Sequence, residues 1–181
     1  MQWADLDSSA CSVARTLAVV GERWSLLIVR DVFNGIRRFD DLQGHLGIAR
    51  NVLSMRLATL TDGGILTKVP YREGRQRQRH EYELTQAGRE LVPIMLTLMS
   101  WGDRHRPGGD GPPAQATHDG CGKRVRMVPV CGAGHVLPSA EAIALEPGPG
   151  ARTAEPPISG EPSVPAPTPD PDPYGVQASL V

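Results

Sequence analysis

The sequence predicts a mainly helical α+β domain in the first 106 residues, followed by an extension rich in proline and glycine. Of 17 prolines, 15 follow residue 106, and so much proline is incompatible with long helices or central strands. Before that point, apolar residues recur at helical spacing in several segments, and one segment alternates in the manner of a β-hairpin. The folded core is therefore expected in the N-terminal part.

Four amphipathic helices are predicted first along the chain. Each carries apolar residues three and four positions apart, and most end at glycine or Asn-Gly. The predicted ranges are Cys11 to Val20, Trp24 to Phe33, Phe39 to Leu46 and Ala49 to Leu60. The last two are short and are separated by a turn containing Gly47, which is the outline of a helix-turn-helix.

A hairpin and one further helix complete the predicted domain. The strands Ile65 to Tyr71 and His80 to Leu84 flank a polar connection, Arg72 to Gln78. Thr85 is expected to cap the last helix, Gln86 to about Trp101, whose apolar face is broad for the edge of a small domain. A face of that width predicts a partner, and we expect a homodimer.

The second helix of a helix-turn-helix can enter the major groove of DNA. If Leu53, Leu57 and Leu60 face the core, polar side chains near the start of that helix are left outward. Arginine can pair with guanine, asparagine with adenine, and serine with bases or phosphates. The candidate DNA contacts that precede the hairpin are Arg38, Arg50, Asn51, Ser54 and Arg56. A helical hairpin with an ordinary polar face fits the same spacing.

The charge of the hairpin favours the DNA-binding interpretation. Between Lys68 and Arg79 there are five basic residues and one acidic residue. A basic hairpin directly after a helix-turn-helix is typical of the wing of a winged helix domain, which reaches phosphates or the minor groove. The predicted wing contacts are Arg72, Arg75, Arg77 and Arg79. A solvated surface loop is the alternative.

Two runs, WSLLIVRDVFNGIRRFDDLQGHLGIARNVLSMRLATLTDGGIL and RHEYELTQAGREL, are followed by a helix that closes with MSWG. Together they resemble the HxlR-type family of winged helix-turn-helix regulators over roughly Cys11 to Gly102. The resemblance implies a dimeric bacterial repressor or activator, joined by its first and last helices, with Ala49 to Leu60 as the recognition helix. A two-fold dimer would bind a palindromic operator with half-sites about one helical turn apart. The chain departs from the family at Arg77, where proline is frequent.

Cys11 stands where many members of that family carry a cysteine, and in some of them the thiol senses oxidants or electrophiles. The helix start and Arg15 would lower the pKa of this thiol, whereas Asp5 and Asp7 would raise it. An inert, small apolar side chain is the alternative. An oxidant or a small molecule is therefore a candidate effector.

The extension contains four potential zinc ligands with the spacing H-x2-C-x9-C-x3-H, which suits a tetrahedral Zn²⁺ in a small ribbon. They are His118, Cys121, Cys131 and His135. Similar extensions carry a C-x2-C pair here, and Gly134 holds the second position of that pair. A degenerate site without metal is thus the alternative, in which Lys123 to Val130 could still form a strand.

The expected organisation is a DNA-binding and dimerisation domain at 1–106, a linker at 107–117, the ribbon-like extension at 118–146 and a disordered, proline-rich tail at 147–181. The first part has 15 basic and 12 acidic residues, and the remainder has 4 and 8. A basic folded part beside an acidic tail raises the expectation of a polyanionic partner.

Several classes of protein are disfavoured. The sequence has no GxGxxG, GKS, GKT or GxSxG motif and no cluster of carboxylates and histidines in the folded part, so an enzyme is not expected. With no secretory signal or membrane span predicted, and few cysteines, a cytoplasmic protein is expected.

An RNA-binding or protein-docking winged helix is the main alternative to a DNA-binding regulator. The absence of an aromatic stacking platform favours duplex DNA over RNA.

Overall fold

The computed structural model describes residues 5–72 and 78–153. Its helices, in chain order, are α1 (Ser12–Val20), α2 (Arg23–Phe33), α3 (Phe39–Leu46), α4 (Arg50–Asp62), α5 (Gln86–Glu90) and α6 (Val92–His105). Strands β1 (Leu66–Tyr71) and β2 (Arg79–Leu84) pair antiparallel, with Leu66 opposite Leu84 and Tyr71 opposite Arg79. The predicted α+β class, mainly helical with a two-stranded hairpin, is confirmed. Within the described ranges no helix is both long and apolar enough to cross a bilayer.

Helix α2 is the centre of the domain, since it contacts α1, α3, α4, α6 and β2. Its Ile28 and Val29 are fully buried. The predicted stripe of α4 is also buried, at Leu53, Leu57 and Leu60. These side chains form one core with the inner ends of the two strands. Burial of this apolar surface is the main source of stability for so small a domain.

The C-terminal helix differs from its prediction, because the single helix Gln86 to Trp101 is two helices that meet at Leu91. Pro93 lies in the first turn of α6. Its ring nitrogen has no hydrogen to donate to residue 89, and the ring crowds the carbonyl of that residue. The helical ladder is therefore broken at the junction. α6 then continues four residues past the expected end, to His105.

Residues 107–153 contain little regular structure. Lys123 to Val130 is not a strand, and among the described residues isolated β-bridges join Arg124 to Thr117 and Val130 to Val136. Pro129 lies within that segment and has no N–H for a ladder. Further along, the chain returns to the N-terminal region, where Leu6 bridges Thr153 and the Asp7 N–H donates to the Arg152 carbonyl at 2.9 Å.

A close backbone contact sets the junction between β2 and α5. The Thr85 hydroxyl donates to the Gly64 carbonyl at 2.6 Å and accepts from the Gly88 N–H at 3.1 Å. A Cβ atom at Gly88 would lie 2.3 Å from the Ile65 carbonyl oxygen. Glycine at position 88 therefore permits α5 to pack against the start of β1.

We expect Gly88→Ala to lower the free energy of unfolding by about 1–3 kcal/mol, because backbone must move to admit the methyl group. Urea denaturation would measure the change. Gly44→Ala is the matched control, since Gly44 lies inside α3 with no atom near its Cβ position. That control should stabilise the protein by about 0.5–1 kcal/mol. An unfolding midpoint of Gly88→Ala equal to that of the unmodified protein would contradict the close packing.

Candidate nucleic-acid interface

The outward face of α4 carries the polar residues that the sequence placed there. Arg50, Asn51 and Ser54 are exposed, opposite the buried leucine stripe. Met55 is 52% exposed on the same side, as is Ala58. Neither was predicted, because apolar side chains were assigned to the core. Exposed methyl groups on this face can contact the methyl group of thymine.

Arg56 does not belong to that face, so its predicted orientation is wrong. Its side chain is only 18% exposed, and its Nη2 atom lies 3.6 Å from Glu22 Oε2, at the residue that precedes α2. Ser54 and Arg56 are about 200° apart around the helix axis. The side chain of Arg56 thus lies largely buried on another side of α4, where Glu22 attracts its charge.

A buried carboxylate joins α2 to α3. Asp31 is 1% exposed, and its Oδ2 atom lies 2.6 Å from Nδ1 of His45. Its Oδ1 atom accepts from Nε of Arg30 at 2.8 Å, and its carbonyl accepts from the Ile36 N–H at 2.9 Å. Buried charges require such partners. The sequence signal was an acidic residue on the apolar side of a predicted helix, and it was missed.

The segment before α3 pairs with the edge of the hairpin, which was also missed. Arg38 forms a β-bridge with Glu81, and the Arg37 carbonyl accepts from the Tyr82 N–H at 2.9 Å. The Arg37 guanidinium lies 2.7 Å from a carboxylate oxygen of Glu83. The helix-turn-helix and the wing are therefore joined by backbone hydrogen bonding as well as by the core.

A cleft of about 500 Å³ opens between the starts of α3 and α4 and the base of the wing. It brings together three predicted DNA contacts, Arg38, Arg50 and Arg79. The Arg38 guanidinium carbon lies 4.6 Å from the centre of the Tyr71 ring, and that of Arg50 lies 4.7 Å from the centre of the Phe39 ring. Stacking of this kind attracts and orients a cation. The cleft is lined by Arg38, Phe39, Asp40, Asp41, Arg50, Tyr71, Arg79 and His80.

The outer wing is described only in part. Arg72 is exposed and its Nη2 atom lies 3.4 Å from Gln78 Oε1. Arg75 and Arg77 lie outside the described residues. The base of the wing thus places Arg79 in the same cleft as Arg50 of α4, while the predictions for its tip stay predictions.

Cys11 is the residue that precedes α1, and it is partly exposed. Backbone N–H groups of Ala14 and Val13 point to its sulfur and lower the pKa of the thiol, with a smaller contribution from the charge of Arg15. The Asp7 carboxylate instead accepts from the Ser9 N–H at 2.8 Å. The lowered pKa enlarges the thiolate fraction, which is the reactive form.

The four predicted zinc ligands lie in two separate turns. In the first, Nδ1 of His118 lies 3.2 Å from Sγ of Cys121. In the second, the Cys131 N–H donates to the His135 carbonyl at 3.0 Å. Backbone N–H groups near Ala133 and His135 lower the pKa of Cys131. No group of three or more potential ligands is assembled among residues 5–72 and 78–153, and zinc binding stays a prediction.

Comparison with known proteins agrees with this geometry. A family model of HxlR-like helix-turn-helix proteins matches residues 19–109. The HTH-type transcriptional regulator Rv3095 of Mycobacterium tuberculosis (strain H37Rv) is 44% identical over 139 residues, which cover 77% of this chain and 87% of that protein. The chain belongs to the HxlR family. It is a DNA-binding helix-turn-helix transcriptional regulator and not an enzyme, as the sequence predicted.

Two solved structures are similar over a comparable length. PA1607, described as a transcription factor, is 36% identical with a TM-score of 0.68, covering 77% of this chain and 96% of its own. PA1374 from Pseudomonas aeruginosa is 34% identical with a TM-score of 0.54, covering 77% and 93%. Because 139 matched residues cannot fit within residues 1–109, the similarity of this HxlR protein to Rv3095 continues into the extension.

Proposed function

We propose that two copies of this HxlR protein bind a palindromic operator in duplex DNA and act there as a repressor or an activator. Each α4 would enter a major groove, and each wing would contact the backbone or the minor groove. The observation that carries the proposal is the cleft, where Arg38, Arg50 and Arg79 meet beside the exposed face of α4. Cations from three elements at one surface favour a phosphate-bearing partner.

The proposal divides the interface into two groups of residues. Asn51 and Ser54, on the exposed face of α4, would contact base edges together with Arg50. Arg38, Arg72 and Arg79 would contact phosphates, which set position and affinity but carry no base information. The second group also includes the predicted wing residues Arg75 and Arg77.

For the base-reading group, we expect Asn51→Ala to cost about 1–3 kcal/mol on the operator selected from a random DNA pool. Binding to unrelated DNA should change little, because no phosphate contact is removed. Fluorescence anisotropy with both DNA types would measure the difference. Equal losses on both would contradict base reading by Asn51. Failure of the unmodified protein to enrich any palindrome would favour a protein-docking role instead.

For the backbone group, Arg79→Gln should weaken binding to every sequence alike. The slope of log affinity against log salt concentration should fall by about 1, since one phosphate contact is lost. Arg104→Gln is the charge-matched control, because Arg104 lies near the end of α6 and outside the cleft. A salt slope of Arg79→Gln equal to that of the control would remove Arg79 from the interface.

The homodimer is proposed from the apolar surface of α1 and α6. Leu17 is 55% exposed and Leu98 is 51% exposed, and they share this condition with Val13, Ile94 and Trp101. α6 has no buried residue in the single chain. Five exposed apolar side chains on two helices of the folded domain favour an interface, and a two-fold dimer would bury the same patch on both copies.

Leu98→Asp should therefore produce a monomer in sedimentation velocity experiments and lower operator affinity at least about tenfold, because half-sites would be bound singly. Leu145→Asp is the matched control, since Leu145 is 74% exposed in the extension. If Leu98→Asp sediments as a dimer at micromolar concentration, α6 is not the interface.

Oxidant sensing by Cys11 is a second proposal, supported by its partly exposed position directly before α1 and by the lowered pKa of its thiol. At neutral pH the thiolate would attack one oxygen of hydrogen peroxide and break the O–O bond, which forms a sulfenic acid, and the departing hydroxide would take a proton from solvent to become water. We expect operator affinity to change on this treatment in the unmodified protein and in Cys121→Ser, but not in Cys11→Ser. A change that persists in Cys11→Ser would exclude this residue as the sensor.

A further inference from the structure

Two carboxylates lie in the cleft that the proposed function assigns to DNA. Asp40 and Asp41 are exposed residues in the first turn of α3, and both line the cavity. Negative charge at this place repels phosphates and lowers affinity for any DNA. The first turn of a helix favours acidic residues, but that effect applies to both positions alike. The helix effect therefore does not explain why Asp40 and Asp41 differ in the side chains that they contact.

Their contacts differ. Oδ1 of Asp40 lies 3.4 Å from Nη1 of Arg50, whose guanidinium also stacks over the ring of Phe39. Among the described residues, Asp41 has no recorded ion pair or hydrogen bond with Arg50. Phe39 and Asp40, which are adjacent in α3, therefore both contact Arg50 at the start of the recognition helix. Phe39 does so through the face of its ring, and Asp40 through its charge.

This ion pair has little importance for folding. The side chains of Asp40 and Arg50 are both 71% exposed, and exposed pairs contribute little to stability because water screens them and two long side chains lose freedom. Orientation is a different matter. An arginine held in one rotamer offers its planar pair of donors in one direction, which suits bidentate recognition of guanine. An arginine that is not held can contact any nearby phosphate.

We propose that Asp40 is a positioning residue for sequence reading, which holds the Arg50 guanidinium toward one base edge and disfavours its pairing with phosphates. The inference rests on the proposed DNA-binding function. It predicts that Asp40 exchanges general affinity for discrimination between sequences. Specificity often depends on such repulsive elements as well as attractive ones.

Asp40→Asn tests this, because it removes the charge and keeps the size. Affinity for random-sequence DNA should rise about threefold as repulsion is lost, while discrimination at the base pair read by Arg50 should fall about fivefold. A structural role alone would not move these two quantities in opposite directions. Circular dichroism and a thermal melt would verify that the variant is folded.

Asp41→Asn is the matched control, since it makes the same charge change in the same helical turn. It should raise affinity for all DNA and leave discrimination unchanged. A double-mutant cycle completes the test: in the Arg50→Ala background, Asp40→Asn should cause no further loss of discrimination, because the residue it positions is absent. Loss in that background would overturn the inference.

The outcomes separate the inference from the function beneath it. If the unmodified protein enriches no palindrome from a random pool, the proposed function fails and the inference fails with it. If it does enrich one, and Asp40→Asn discriminates as well as Asp41→Asn, only the role of Asp40 is overturned. Competition of operator against random DNA at several salt concentrations provides all of these numbers.

Discussion

The buried carboxylate of Asp31 is the constraint on which the proposed DNA-binding surface depends. Removing a carboxylate from water is costly unless charged or hydrogen-bonding partners replace the solvent. Here Arg30 and His45 are those partners, and His45 belongs to the last turn of α3. The requirement to satisfy one buried charge therefore sets the position of α3 on α2. Apolar packing alone would tolerate several positions, since dispersion contacts have no direction.

The position of α3 then determines the cleft. Gly47 ends α3 in the left-handed region, at φ +62°, and turns the chain into α4. Ahead of α3, Arg38 bridges Glu81 and so aligns the helix-turn-helix with β2. Arg50 and Arg79 lie at one surface because the turn into α4 and the bridge to β2 both adjoin α3. Each is a backbone constraint, so the interface can form before any DNA is present, which lowers the ordering cost of binding.

Much of this fold could be predicted, because apolar periodicity is a local property. The limits of α3 follow from its apolar spacing and the break at Gly47, and the buried stripe of α4 follows from the spacing of its leucines. The errors arise where a distant element decides. The direction of Arg56 depends on Glu22, and the Arg38–Glu81 bridge joins residues with no shared pattern. The break at Leu91 is a different kind of error, because Pro93 is a local signal in the sequence. The single helix was predicted from its broad apolar face, and that signal was not used.

The arrangement of helices also limits how a chemical signal could reach the DNA. α1 begins directly after Cys11 and contacts both α2 and α4. The same helix carries Val13 and Leu17 on its exposed side. A change at Cys11 would therefore act on a helix that contacts α4 and also carries part of the proposed dimer surface. Proximity alone is not coupling. In the proposed dimer, however, a reorientation of α1 would alter the distance between the two α4 helices more than the structure of either helix.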